Sequence, residues 1–103
     1  MARSIRRHPE AEAELLAAIE WYDDEAELGA DFLAEVREFS ARIADAPESF
    51  PPDAELEEVR RARLKRFPYW LIFTLHDEDI FILAVAHVRR EPGYWRSRVA
   101  RGP

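Results

Sequence analysis

The chain has 103 residues, of which 48% are hydrophobic and 12% aromatic, which is the size and composition of one globular domain rather than of a disordered segment. It contains no cysteine, which excludes a disulfide framework, a thiolate nucleophile and a zinc knuckle. The net charge of −6 is unevenly divided, since residues 1–58 carry 17 acidic residues against 5 arginines and residues 59–103 carry 10 basic residues against 4 acidic ones, which suggests two surfaces with different tasks.

The first half of the chain predicts a short strand followed by two helices. Residues 3–7 (RSIRR) form the candidate strand, and His8-Pro9 begins the first helix because proline fits a first helical position. Apolar residues at steps of three and four predict that this helix runs to about Asp24: Ala11, Leu15, Ala18, Ile19 and Tyr22. The same spacing predicts a second helix that ends at Pro47: Phe32, Val36, Phe39 and Ile43. With Gly29 as the expected turning residue, the two helices form an antiparallel hairpin over about residues 9–46.

The second half changes to a strand-like pattern after the proline-rich link PESFPPDAELEE. Ala62 and Leu64 alternate with Arg61, Arg63 and Lys65, which predicts a strand with one apolar and one basic face. The segments YWLIFTLH and IFILAVAHV predict two further strands, the last one central. The expected fold is α+β over residues 1–103 as a single domain: the helical hairpin packs on a three- to four-stranded antiparallel sheet over about 59–90, followed by a polar tail, 91–103.

No stretch of the sequence predicts a membrane span or a secretion signal. The longest apolar runs, 69–73 and 80–86, are far shorter than a span, and the basic N-terminus lacks an apolar segment after it. We therefore expect a cytoplasmic protein.

The basic strand is the first candidate binding surface. Arg61, Arg63 and Lys65 lie about 7 Å apart along one strand face, near the spacing of successive phosphates. The alternative is a solvated sheet face, or ion pairs with the acidic helices.

The end of the last strand is the second candidate. His87 is a titratable group next to the cations Arg89 and Arg90, and Tyr94 and Trp95 follow, which suits stacking on a base. Trp95 is equally consistent with a residue that closes the core.

Other residues of these chemical types are assigned no chemical role. Tyr22 is predicted to be in the core and Trp21 at its edge. The three histidines are too far apart in sequence for ligand spacing, so we expect no metal and no other cofactor.

Three segments together resemble the RelE/ParE superfamily of toxins from type II toxin–antitoxin modules. They are AEAELLAAIEWYDDEAELGADFLAEV, FPPDAELEEVRRARLKRFPYWLIFTL and ILAVAHVRREPGYW, in the expected order over nearly the whole chain. The resemblance implies a small bacterial toxin with a helical hairpin on an antiparallel sheet. It also implies a cognate antitoxin that wraps the toxin with a helix and an extended segment.

The superfamily divides by target, so the resemblance leaves three functions open. ParE-like members bind and inhibit DNA gyrase without breaking a bond, and the long acidic helices with their Trp21-Tyr22 pair favour this branch. RelE-like members cleave mRNA on the ribosome without a metal. In that branch Arg63, Lys65 and Arg90 would supply cations, His87 proton transfer, and Tyr94 stacking or proton donation. The third possibility is a non-toxic remnant that binds the antitoxin.

A binding function requires that two segments of the chain share one surface. One exposed surface must carry both the basic strand (Arg61, Arg63 and Lys65) and the later segment with Arg89 and Trp95. This surface would then contact the target or the antitoxin.

Overall fold

The computed structural model describes residues 3–101 and has a helical layer on one face of a four-stranded sheet. The elements in chain order are β1 (Ser4–Arg7), α1 (Pro9–Ala26), α2 (Gly29–Asp45), a 3₁₀ turn (Pro47–Ser49), β2 (Val59–Arg63), β3 (Tyr69–His76), β4 (Asp79–His87) and α3 (Arg96–Arg101). The α+β class and the helical hairpin on the sheet are therefore confirmed. No helix in the described part of the chain is long and apolar enough to span a membrane.

The helical hairpin begins and turns at identifiable residues. His8 caps α1, since its Nδ1 accepts a hydrogen bond from the Glu10 N–H at 3.1 Å, and Pro9 follows as predicted. The prediction that Gly29 makes the turn is wrong, because the left-handed residue is Glu27, with φ of 56°. Gly29 instead begins α2 where the helices touch, and a Cβ there would lie 2.8 Å from the Ile19 carbonyl oxygen.

The sheet has the strand order β1-β4-β3-β2. The pairs β2–β3 and β3–β4 are antiparallel as predicted, but β1 lies parallel to β4. The prediction of a sheet that is antiparallel throughout is therefore wrong for the β1–β4 pair. The β1 strand pairs with β4 only from Asp79 to Ile82, so within residues 3–101 the second half of that β4 edge has no neighbouring strand.

Each face of the sheet has its own core. Between the sheet and the helices lie side chains such as Leu15, Phe32 and Phe73. On the opposite face a smaller core forms around Ile72 and Trp95, which is only 4% exposed. The prediction of a polar C-terminal tail is thus wrong for its described part: this segment packs across the second face because Trp95 supplies a large apolar area to bury.

Candidate functional site

A cavity of about 150 Å³ lies between the second face of the sheet and the C-terminal segment. Five residues singled out from the sequence line it together: Arg61, His87, Arg90, Tyr94 and Trp95. Trp70 and Arg96, which sequence reasoning missed, complete much of the wall. The other three predicted residues, Arg63, Lys65 and Arg89, do not belong to this lining.

Two of the three arginines of β2, Arg61 and Arg63, share the sheet face that also carries Trp70. The Arg61 guanidinium lies 4.6 Å from the Trp70 ring centroid, which is the geometry of a cation–π contact. Arg63 pairs with Trp70 across the strands, and its Nη1 donates to the carbonyls of Leu64 and Phe67 at 3.0 and 2.8 Å. Arg63 therefore fixes the turn after β2, while Arg61 faces the cavity.

Lys65 is not on the basic strand, so its predicted place beside Arg61 and Arg63 is wrong. Strand β2 ends at Arg63, and Lys65 lies in the turn that follows. The buried Glu35 carboxylate of α2 holds this turn by accepting the backbone N–H groups of Lys65 and Arg66 at 2.5 and 2.9 Å. The backbone leaves the strand because it bonds to a helix side chain instead of a β partner, and the Lys65 side chain is exposed.

His87 ends β4, with its ring against Tyr69 at a centroid distance of 5.0 Å. Its Nδ1 accepts the backbone N–H of Arg89 at 3.1 Å. A ring nitrogen that accepts a hydrogen bond carries no proton, so in the neutral imidazole the proton lies on Nε2. The Arg89 side chain itself is exposed.

Arg90 lies over Tyr94, with the guanidinium carbon 3.7 Å from the ring centroid. Within residues 3–101, Arg61, Arg63 and Arg90 form no ion pair with a carboxylate. The alternative reading, in which the acidic helices neutralise these cations, therefore does not apply to them.

A partly buried carboxylate fixes the C-terminal segment (residues 91–101) beside the second half of the β4 edge. Glu14 of α1 accepts the Val85 N–H at 2.9 Å and the Tyr94 hydroxyl at 2.9 Å. It also accepts both terminal nitrogens of Arg98, at 3.1 and 2.9 Å, and Arg98 donates to the Leu83 carbonyl at 2.9 Å. Glu14 and Arg98 thus satisfy backbone groups that a neighbouring strand would otherwise bond.

Burial and the hydrogen bond to Glu14 also change the acidity of the Tyr94 hydroxyl. Burial raises the pKa of the Tyr94 hydroxyl well above its ordinary value of 10, and the hydrogen bond to Glu14 raises it further. The hydroxyl therefore stays protonated and remains a donor to Glu14.

Sequence reasoning missed Glu14 and Arg98. Glu14 was one of several acids in the first turns of α1, and nothing in its spacing distinguishes it. The available signal was the C-terminal segment YWRSRV, in which Trp95, Arg98 and Val99 have helical spacing.

Comparisons with known proteins agree with this architecture. The family model for the ParE toxin of type II toxin–antitoxin systems, parDE, matches residues 5–92. Toxin ParE2 of Mycobacterium tuberculosis, found in two strains, is 34% identical over 94 residues, which cover 89% of this chain and 88% of the relative.

Two solved structures share the fold. A chain of the chromosomal ParDE TA system from P. aeruginosa superposes with a TM-score of 0.74 at 20% identity, covering 85% of this chain and 98% of that one. The isolated E. coli RelE toxin superposes with a TM-score of 0.65 at 17% identity, covering 97% and 98%. Identities this low establish the fold alone, whereas the family model and the mycobacterial relative establish the branch. The chain belongs to the ParE toxin family of type II toxin–antitoxin systems.

Proposed function

We propose that this toxin inhibits growth by binding and inhibiting DNA gyrase, and that a cognate antitoxin neutralises it. Membership of the ParE family supports this target, since gyrase inhibition is what resemblance to the ParE-like branch implies. The inhibition requires a binding surface but no bond-breaking group in the toxin.

One structural observation favours binding over RNA cleavage. A nuclease of the RelE type needs a base and an acid with free proton-transfer atoms. Here the His87 Nδ1 atom already accepts a hydrogen bond from the Arg89 N–H, and the Tyr94 hydroxyl already donates one to the Glu14 carboxylate. The raised pKa of Tyr94 makes proton donation harder still. Both groups are committed to the structure of the site.

The surface available for a partner is cationic and aromatic. Arg61, Arg63 and Arg90 each lie near an aromatic ring and have no ion-pair partner within residues 3–101. Arginine and aromatic side chains carry much of the energy at protein interfaces. We assign this surface to the contact with gyrase or with the antitoxin. We extend the proposal to two exposed side chains, Lys65 in the turn after β2 and Arg89 after β4.

Expression in bacteria tests the toxin and antitoxin parts together. Induction of the gene alone should stop growth, and co-expression of the neighbouring open reading frame should restore it. Harmless expression in both cases would favour the non-toxic remnant.

Two assays with purified components then distinguish gyrase inhibition from mRNA cleavage. A ribosome-programmed mRNA should remain intact in the presence of the toxin, while the supercoiling activity of purified gyrase should fall. Arg90→Ala should weaken inhibition, whereas Arg37→Ala, a change at an exposed arginine on α2 away from the cavity, should not. Cleaved mRNA with unaffected gyrase would assign the protein to RelE-like chemistry.

A further inference from the structure

The outer side of helix α1 exposes apolar side chains that nothing in residues 3–101 covers. Leu16 and Trp21 are 56% and 57% exposed, more than the other large apolar residues that the structure describes. Ala13 and Ala17 are exposed as well. Ala13, Ala17 and Trp21 follow at steps of four and form one row along the helix, and Leu16 lies in the neighbouring row. These four residues, the α1 outer face, therefore form a shallow apolar depression between two large side chains.

The Trp21 side chain is oriented before any partner binds. Its ring stands edge-on to the Tyr22 ring, with a centroid distance of 5.0 Å and an interplanar angle of 89°. Tyr22 in turn stacks on Phe32 of the core at 5.2 Å. Trp21 also lines a cavity of about 200 Å³ at the end of β4, together with Tyr69 and Val85. A tryptophan held in this way loses little freedom when it is buried in a complex, and tryptophan is enriched among the residues that dominate binding energy.

The C-terminal half of α1 is acidic and lacks cations to balance it. Glu20 and Asp24 continue the row that contains Leu16, so they border the α1 outer face. Neither forms an ion pair within residues 3–101, and the last turn of the helix holds no basic residue. The two carboxylates are four residues apart and lie towards the negative end of the helix dipole, so mutual repulsion and the dipole both disfavour them. A cationic partner relieves this, and an exposed apolar patch with a polar rim is typical of protein–protein contacts.

Building on the proposed function, we infer that gyrase docks on the α1 outer face through an apolar ridge flanked by lysine or arginine side chains. The ridge lies over Ala13 and Ala17, and its cations pair with Glu20 and Asp24. A second copy of this chain that docked by the same face would bring the same acids together and is repelled. An antitoxin that covers the basic surface with acidic side chains is repelled here for the same reason. The charge on α1 thus favours gyrase over the other two occupants.

The α1 outer face and the cationic surface meet at one residue. Arg90 lines both the cavity beside the C-terminal segment and the cavity at Trp21. The other polar side chains of the cavity at Trp21, Glu14 and His87, already accept hydrogen bonds within the protein. An antitoxin seated at Arg90 therefore reaches the edge of the α1 outer face and blocks gyrase there, although its charge does not match α1.

Surface plasmon resonance with immobilised toxin and purified gyrase tests the docking face. Trp21→Ala should weaken gyrase binding by at least about tenfold, since tryptophan is among the costliest residues to truncate at an interface. Ala17→Gln fills the depression without changing a charge and should weaken binding as well. Leu75→Ala is the matched control and should bind like the wild type, because Leu75 is an exposed apolar residue of β3 outside the cavity at Trp21.

A pair of double variants tests the role of charge. Glu20→Gln/Asp24→Gln should slow the association with gyrase and flatten its dependence on salt. Glu57→Gln/Glu58→Gln removes the same charge from the exposed link before β2 and should change neither. Equal slowing in both double variants would show an effect of net charge rather than docking on α1 and would contradict the inference.

Three other results overturn the inference. Gyrase binding that Trp21→Ala and Ala17→Gln leave unchanged would refute this docking face while the proposed function stands. Absence of gyrase binding by the wild type would refute both. Loss of antitoxin binding or of self-association in these variants, with gyrase binding intact, would assign the face to that other partner. Thermal unfolding shows which variants are folded, and Ala17→Gln, at an exposed residue, decides the question if Trp21→Ala does not fold.

Discussion

The Glu14 carboxylate is predicted to be among the costliest single side chains to remove from this protein. It accepts four hydrogen bonds: from the Val85 backbone, from the Tyr94 hydroxyl and twice from Arg98. The side chains of Glu14 and Arg98 are only 17% and 7% exposed, so water replaces the lost partner poorly. Glu14→Ala therefore leaves the Val85 N–H and the Tyr94 hydroxyl without their acceptor. The buried Arg98 keeps only the Leu83 carbonyl and the more exposed Glu10 carboxylate, 3.6 Å away.

The magnitude follows from that burial. Removal of one partner of a buried ion pair typically costs about 3–5 kcal/mol. For a domain of about 100 residues, each kcal/mol lowers the melting temperature by roughly 4–8 °C, so Glu14→Ala should melt at least about 12 °C below the wild type. Since small domains are stable by only about 5–15 kcal/mol, this loss is a large share of the total.

Denaturant unfolding of matched variants is the appropriate assay. Glu12, two residues before Glu14 on α1, also pairs with an arginine, Arg7, but those side chains are 42% and 36% exposed. Glu12→Ala should therefore cost no more than about 1 kcal/mol. The double variant Glu14→Leu/Arg98→Met removes both charges but leaves the Val85 N–H and the Leu83 carbonyl without these partners, so it should regain part of the stability lost in Glu14→Ala.

Equal losses in the free energy of unfolding for Glu14→Ala and Glu12→Ala would refute this stabilising role of Glu14. It is also refuted if the double variant is less stable than Glu14→Ala by the full cost of a second buried group. Either result would mean that the C-terminal segment does not depend on Glu14 for its position.

Three further predictions concern stability and association. First, burial raises the pKa values of Tyr22, Tyr69 and Tyr94 above 10, so the unfolded chain loses these protons at lower pH and the free energy of unfolding should fall as the pH rises past 10; urea unfolding between pH 8 and pH 11 measures this, and Tyr94→Phe should flatten the decline. Second, Gly29→Ala should destabilise the hairpin by about 1–3 kcal/mol in thermal unfolding, because its Cβ would lie 2.8 Å from a backbone oxygen. Third, the association rate with the antitoxin should fall about tenfold or more as salt rises, since its acidic or apolar side chains would cover part of a basic surface.

Each of these has a contradicting result. Stability that is constant up to pH 11 would show that the tyrosines titrate alike in both states. A more stable Gly29→Ala protein would mean that helix propensity, worth up to about 1 kcal/mol, outweighs the contact with α1. An association rate that does not change with ionic strength would mean that charge does not contribute to the contact with the antitoxin.

Periodicity predicted the parts of the fold that depend on local patterns. The apolar steps of three and four gave both helices, and the runs YWLIFTLH and IFILAVAHV gave the two long strands. Periodicity carries no information on strand direction between distant segments, so the parallel pairing of β1 with β4 was not foreseen. Glycine content likewise marked the turn region but not which residue adopts the left-handed conformation, which is Glu27.

The candidate site was predictable in composition but not in detail. Arg61, His87, Arg90, Tyr94 and Trp95 stood out as chemically notable residues near strand ends, and the structure brings them to one cavity. Lys65 was misplaced because a buried acid on a distant helix, Glu35, draws its backbone away from the strand. Contacts of this kind join residues tens of positions apart, and no local pattern encodes them. The same reason explains why the partnership of Glu14 with Arg98, 84 residues later, was missed.

The measurement closest to the central claim is supercoiling of relaxed plasmid by purified gyrase, titrated with this toxin. Our expectation is that supercoiling falls as toxin is added, that prior mixing with the antitoxin restores it, and that ribosome-bound mRNA incubated with the same toxin stays intact. Full supercoiling activity at every toxin concentration, with the mRNA cut, would contradict it.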